Sequence, residues 1–213
     1  IIFNYLLIIK GILMKLRYSP SSPFVRKVSV VLIEIGCEDR VENILTNVWD
    51  PETDITGYNP LGKVPTLILD DATILYDSPV ICEYLDSLHD GAKLFPTFGK
   101  ERWQALLLQS LGDGMSDAGI IALLESRRSE ELIYRNWIER QMAVILRVMD
   151  DLENNLEDLQ SGFDIGQISV ACSLGWLDFR FSDLGWRGDH PGLADWFEGV
   201  SERPSMVKTM PEA

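Results

Sequence analysis

The chain has 213 residues, 46% of them hydrophobic, and a formal net charge of −14. That length and apolar content can bury a sizeable core, as one domain or two small ones, and mark a soluble globular protein. The acidic excess argues against nucleic acid as a partner, because phosphate binding draws on clustered Lys and Arg. The three cysteines, Cys37, Cys82 and Cys172, share no C-x-x-C or metal-ligand spacing, and the two histidines, His89 and His190, add little. This usage suits a reducing, cytoplasmic setting with no metal site.

In chain order, residues 1–13 come first and are almost wholly apolar apart from Asn4 and Lys10. The run is too short to span a bilayer and lacks the basic start and cleavage site of a secretory signal. The expectation is that Met14 is the biological start and that 1–13 is a non-native or extended segment; a membrane-surface or partner-binding tail is the alternative. Short apolar strands then alternate with amphipathic helices: a strand over 16–18, a helix over 23–35 ending at Gly36, a strand over 41–47, a hairpin over 66–69 and 73–75, and a helix over 79–88. Strand–helix–strand followed by hairpin–helix is the order a thioredoxin-like domain requires, which assigns 14–89 to such a domain. Residues 90–98 turn to Asp, Gly, Pro and Lys and read as a linker. From 99 to 213 the pattern is all-helical, with runs at 100–127, 130–159, 165–184 and 192–202. Asp164 and Gln167 before the apolar run form a capping box.

Two motifs carry chemistry. Asn59-Pro60-Leu61-Gly62-Lys63-Val64-Pro65-Thr66-Leu67 is an extended run closed by Val-Pro at the entry to a strand. Such a loop can offer backbone N–H and C=O groups to an extended ligand, and a cis Val64–Pro65 bond would fix that offer. About ten residues on, Tyr76-Asp77-Ser78-Pro79 places a carboxylate and a hydroxyl at a helix start, where they can hold a ligand ammonium and carboxylate. Together the motifs ask for a peptide with a zwitterionic end. A third segment, Ser19-Pro20-Ser21-Ser22-Pro23-Phe24-Val25-Arg26-Lys27, joins the first strand to the first helix. Ser22 before Pro23 is a strong helix-start signal in its own right.

These three segments resemble the glutathione transferases, nearest the bacterial YibF-like branch, with which the chain shares Ser-Pro-Phe-Val-Arg-Lys, Asn-Pro-Leu-Gly-Lys-Val-Pro and Asp-Ser-Pro. The resemblance runs from about Met14 to the end. It implies an α/β thioredoxin-like N-terminal domain followed by an all-α helical bundle, a homodimer, and glutathione as co-substrate for transfer to a small electrophile. It also implies that Val64 and Pro65 pair the cysteinyl backbone, Asp77 and Ser78 hold the γ-glutamyl end, and Lys63 reaches the glycyl carboxylate. Ser22 is the candidate for thiol activation, with Ser21 and Ser19 as alternatives. A purely capping role for Ser22 stays open, as does a solvated Lys63. No cysteine lies between Tyr18 and Phe24, so a mixed disulfide on that loop is excluded. The rival reading is a non-catalytic regulatory or protein-binding module on the same scaffold, as in the stringent starvation proteins. In the helical part, the small residues from Gly112 to Gly119 allow close helix approach, and Asp113 and Asp117 share a face that borders a second-substrate pocket or is merely solvated. Trp103, Trp137, Trp176, Trp186 and Trp196 read as packing residues.

Overall fold

A computed structural model describes residues 14–160 and 162–212. The segment expected to precede the native start therefore lies outside the described residues. Strand β1 (Met14–Tyr18) is central in a four-stranded sheet of order β2-β1-β3-β4. It pairs in parallel with β2 (Val41–Leu45) and antiparallel with β3 (Thr66–Ile68), which in turn pairs antiparallel with β4 (Ile74–Leu75). Helix α1 (Pro23–Glu34) connects β1 to β2 and packs on α2 (Ser78–Asp86), which follows β4. Met14, Leu16 and Leu67 of the sheet meet Val28, Ile81 and Leu85 of these helices in one buried cluster, the apolar face that alternation along β1 dictates. Helix α1 stops where Gly36 takes φ +66°. Gly36 N–H then bonds Ile33 O at 3.0 Å and Cys37 N–H bonds Leu32 O at 2.8 Å, which satisfies the last carbonyls.

The helical part consists of α3 (Gly99–Ser126), α4 (Arg135–Asn154), α5 (Ile165–Arg180), α6 (Pro191–Ser201) and the five-residue α7 (Pro204–Lys208). Helix α3 lies along α5, and the small residues decide how closely. A Cβ on Gly112 would come within 2.5 Å of the Ser169 backbone, and one on Gly119 within 2.6 Å of the Trp176 ring. The expected capping box at α5 is present in both directions, with Asp164 N–H bonded to Gln167 Oε1 at 2.9 Å.

Two expectations need correction. The run expected over 130–159 is broken by 3₁₀ turns at Glu130–Leu132 and Leu156–Leu159. At the second break the Asn154 and Asn155 amides bond back to the Asp150 and Asp151 carbonyls at 2.7 Å each, a side-chain alternative to continuing the helix. Trp103 and Trp137 are exposed rather than packed, at 70% and 38% of their surface, whereas Trp176 and Trp186 are buried. The 90–98 segment, expected as a linker, is anchored: the Asp86 carboxylate accepts from Leu94 N–H at 2.9 Å and Phe95 N–H at 3.1 Å, and both apolar side chains are buried. Helix α7 had no counterpart in the sequence pattern. Among the described residues, no helix is long and apolar enough to cross a membrane.

Candidate functional site

The sheet register gathers the three motif segments at one end. Arg17 pairs with Thr66, so the loop leaving β1 (residues 19–22) lies beside the loop entering β3 (residues 63–65). Leu67 pairs with Leu75, so the segment leaving β4 for α2 starts from the same end of the sheet at which the chain enters β3. Segments far apart in the chain therefore converge through ladder geometry alone.

The loop after β1 is pinned from both sides. Ser22 N–H bonds Ser19 O at 3.2 Å, and Trp176 Nε1 on α5 donates to Ser21 O at 3.0 Å. The Ser19 and Ser21 hydroxyls lie 3.3 Å apart and share one hydrogen bond. Ser22 is extended (φ −91°, ψ 124°) and caps α1, its Oγ accepting from Val25 N–H at 3.3 Å. A hydroxyl that accepts in this way keeps its own proton for donation. Ser22 is half-buried and stands at the positive end of α1.

The Val64–Pro65 bond is cis, as expected, and a second cis bond joins Tyr76 to Asp77. Asn59, 1% exposed, organises the approach to the first. Its Nδ2 donates to Lys63 O and to Thr66 Oγ1, both at 3.0 Å, and its Oδ1 accepts from Leu61 N–H at 2.9 Å. Thr66 Oγ1 donates to Lys63 O at 2.9 Å, and Gly62 takes the left-handed conformation (φ +64°) that lets the turn close. Pro65 is buried, Val64 half-buried and Lys63 exposed. Asn59 is the positioning residue that the sequence reading quoted without a role; its signal is Asn at the first place of an Asn-Pro-Leu-Gly turn.

At the start of α2 the exposed Asp77 carboxylate accepts from Ser78 N–H. Ser78 is fully buried, and its hydroxyl has no hydrogen-bond partner. A buried hydroxyl left so costs about 1 to 3 kcal/mol, and such a group marks a place where another polar molecule belongs.

A cluster of charge frames this end of the sheet. Lys27 of α1 is only 1% exposed and bonds both Asp113 oxygens of α3, at 2.6 and 2.7 Å. Asp113 is thus ion-paired rather than solvated. Burial pushes its carboxyl above the usual range, against the pull of Lys27, and the Asp77 and Asp117 charges push in the same direction as burial. Burial also raises the Asp117 carboxyl, opposed by Lys63 and aided by Asp77. Asp117 therefore stands in the electrostatic field of Lys63 and Asp77, one helical turn beyond the contact with Lys27. No sequence signal marked Lys27, since a lysine on an amphipathic helix reads as solvated.

Cys82 and Cys172 lie in the field of Lys27 and Asp113, but burial dominates both thiols. Burial pushes the Cys82 thiol up to about 12 and the Cys172 thiol up to about 11, and Cys37 donates to Ile35 O. Neither Cys82 nor Cys172 supplies a thiolate at neutral pH. Among the described residues, no group of three or more His, Cys, Asp and Glu is placed to hold a metal ion.

Comparison with known proteins places this geometry. Residues 21–88 match the glutathione S-transferase N-terminal domain, and residues 135–199 the C-terminal domain of the same family. The uncharacterized GST-like protein YibF of Escherichia coli is 33% identical over 201 residues, covering 93% of this chain and 98% of that protein. A glutathione transferase family member from Pseudomonas fluorescens Pf-5, crystallised with bound glutathione, superposes with a TM-score of 0.90 at 43% identity, over 94% of this chain and 100% of that one. A family member from the same organism with bound S-(propanoic acid)-glutathione gives a TM-score of 0.87 at 44% identity, over 93% and 100%.

Proposed function

The chain belongs to the glutathione S-transferase family, and on that premise we propose that it is a cytoplasmic enzyme that transfers glutathione to a small electrophile, with Ser22 activating the thiol. The observation that carries the binding half is the unpartnered, buried Ser78 hydroxyl beside the Asp77 carboxylate. In this reading Asp77 takes the γ-glutamyl ammonium, and Ser78 with the first amides of α2 takes the carboxylate. Val64 pairs the cysteinyl backbone next to cis Pro65, and Lys63 takes the glycyl carboxylate. The peptide then runs along the three converging segments, with its sulfur at the start of α1.

Bound there, glutathione supplies the nucleophilic sulfur. Lowering a thiol pKa from about 8.5 to between 6 and 7 needs roughly 2 to 3.5 kcal/mol of preferential thiolate stabilisation. The Ser22 proton and the α1 dipole act in that direction. Ser21 and Ser19 are the alternatives; their mutual bond commits one of their two protons, which favours Ser22. The Pseudomonas fluorescens complex with S-(propanoic acid)-glutathione supports a carboxylated alkyl group as one product class. A homodimer contact is assigned to the face where Val80 of α2 and Trp103 and Leu107 of α3 expose apolar surface. The two helices are tied there by Arg102 and Glu83 at 2.9 Å.

Calorimetry with glutathione, followed by turnover against a panel of halides, epoxides and enoates, tests the proposal. Millimolar or tighter binding with turnover of at least one class supports it. No binding at millimolar glutathione would transfer the chain to the protein-binding reading.

A further inference from the structure

Across the 19–22 loop from Val64 and Asp77, a cavity of about 300 Å³ opens between α1, the edge strand β2 and the C-terminal segment that follows α7. None of Val64, Pro65, Asp77 or Ser78 lines it, although Ser19 and Pro20 of the 19–22 loop form one edge. Apolar walls come from Tyr18, Ile33 and Val41, and hydroxyls from Ser29 and Thr209. Lys208, Thr209, Met210 and Glu212 form its outer wall, and residues 203–212 are strapped to the sheet-bearing part. Glu34 at the end of α1 accepts from Arg203 at 3.1 and 2.7 Å and from Ser205 Oγ at 2.5 Å, and Glu212 N–H reaches Pro20 O at 3.4 Å.

Arg26 also lines the cavity, and its charge is uncompensated. The residue is 7% exposed, and among the described residues no carboxylate pairs with it. Of the nearby acids, Glu34 is engaged by Arg203 and Glu38 by Lys208 at 3.2 Å, while Glu212 stands exposed at the rim without forming an ion pair with Arg26 among the described residues. Its Nη2 donates to Met206 O at 3.1 Å, its Nε reaches Thr209 Oγ1 only at 3.5 Å, and its Nη1 has no partner among the described residues. The guanidinium is seated flush on α5, since a Cβ on Gly175 would lie 2.2 Å from Nη1. Isolating a cation in this way is expensive unless an anion meets it. The long Nε contact with Thr209 is the weakest of its bonds and the easiest for an incoming anion to replace.

We infer that this cavity is a binding site for a small monocarboxylate with an apolar body, which borders the 19–22 loop but does not overlap the Val64, Pro65, Asp77 and Ser78 segments, and which does not depend on the function proposed above. The carboxylate meets Arg26, and the body lies against Tyr18, Ile33 and Val41. The volume suits one ring or a short alkyl chain; a cavity half that size holds benzene. Exposed Glu212 at the rim makes a second negative charge unfavourable, which selects monocarboxylates over phosphates and dicarboxylates.

Benzoate is the probe, titrated calorimetrically into the full chain, with benzyl alcohol as the neutral counterpart and with amide shifts recorded in parallel. The expected result is saturable benzoate binding near 1 mM, a loss of about tenfold or more for the alcohol, and shifts at Ser29, Asn43 and Thr209. Saturating glutathione should leave benzoate affinity unchanged. Ser29→Phe fills the cavity and should abolish binding, and Arg26→Gln should equalise acid and alcohol. The wild-type titrations decide the matter even if Arg26→Gln does not fold. The inference is overturned by absence of saturable binding at about 10 mM, by equal affinity for acid and alcohol, or by displacement of benzoate by glutathione.

Discussion

Helix α1 is held firmly along its body and lightly at its start. Lys27 is buried with both Asp113 oxygens on it, and Glu34 is bonded by Arg203 and Ser205. The start, in contrast, is capped by a single 3.3 Å side-chain bond to the Ser22 oxygen, and the same is true in kind of α2, where Asp77 is exposed and the Ser78 hydroxyl has no partner among the described residues. The α5 start shows what a closed cap looks like, with Asp164 and Gln167 satisfying each other's segment reciprocally. The difference teaches that saturated contacts fix where α1 and α2 sit, so that their first residues can remain partly unsatisfied and available to a ligand.

Four experiments break or sharpen this contrast. The largest effect should come from the body of α1. Asp113→Ala leaves Lys27 buried without a counter-charge and should cost about 3 to 5 kcal/mol in urea unfolding. A loss below about 1 kcal/mol would show that Lys27 finds water and that the pair does not anchor the helix.

Next in size is Asp77→Asn, which should weaken glutathione by about 1.5 to 3 kcal/mol, roughly ten- to hundredfold, with stability changed by only a few tenths. A glutathione analogue without the γ-glutamyl amine should bind both forms alike. Equal losses for both ligands would mean that Asp77 shapes the pocket without touching the ammonium.

Ser22→Ala should cost about 1 kcal/mol of stability from the lost cap. It should also raise the pKa of bound glutathione, so that conjugation slows at neutral pH and recovers in alkaline buffer. Activity unchanged across neutral pH would pass the role to Ser21 or Ser19.

The smallest effect belongs to Glu34. Burial raises its carboxyl pKa, but the hydrogen bonds from Arg203 and Ser205 and the Arg203 charge outweigh burial and leave it lowered. A lowered carboxyl contributes stability that is present above its unfolded pKa, about 4.3, and is lost as pH falls through the folded value. Glu34→Gln should therefore lower stability at neutral pH and flatten the acid limb of the stability profile. Parallel acid limbs in the two proteins would remove Glu34 from that limb.

Much of the site was legible because its signals are local. Asn59 to Thr66 spells a turn closed by Val-Pro, Asp77-Ser78-Pro79 spells a helix start, and Ser22-Pro23 another; each depends on residues within a few positions. The family resemblance rested on the same stretches. The position of Asn59 beneath Lys63 is equally local but passed without a role, because an Asn in a turn has many possible partners.

By itself the sequence determined the element order, the three segments at the site, the Asp164 capping box and the absence of a cysteine from the 19–22 loop. Tertiary structure alone decided that Lys27 and Asp113 meet across 86 positions, that Trp103 faces outward, that Asp86 fastens the 90–98 segment, and that Arg26 is buried with no carboxylate on it among the described residues. Short-range patterns fix backbone geometry, because caps and turns are closed by neighbours in the chain. Charge burial depends on which helix lies over which, and that depends on close approaches such as Gly112 on Ser169 and Gly119 on Trp176, where a single methyl group would force the helices apart.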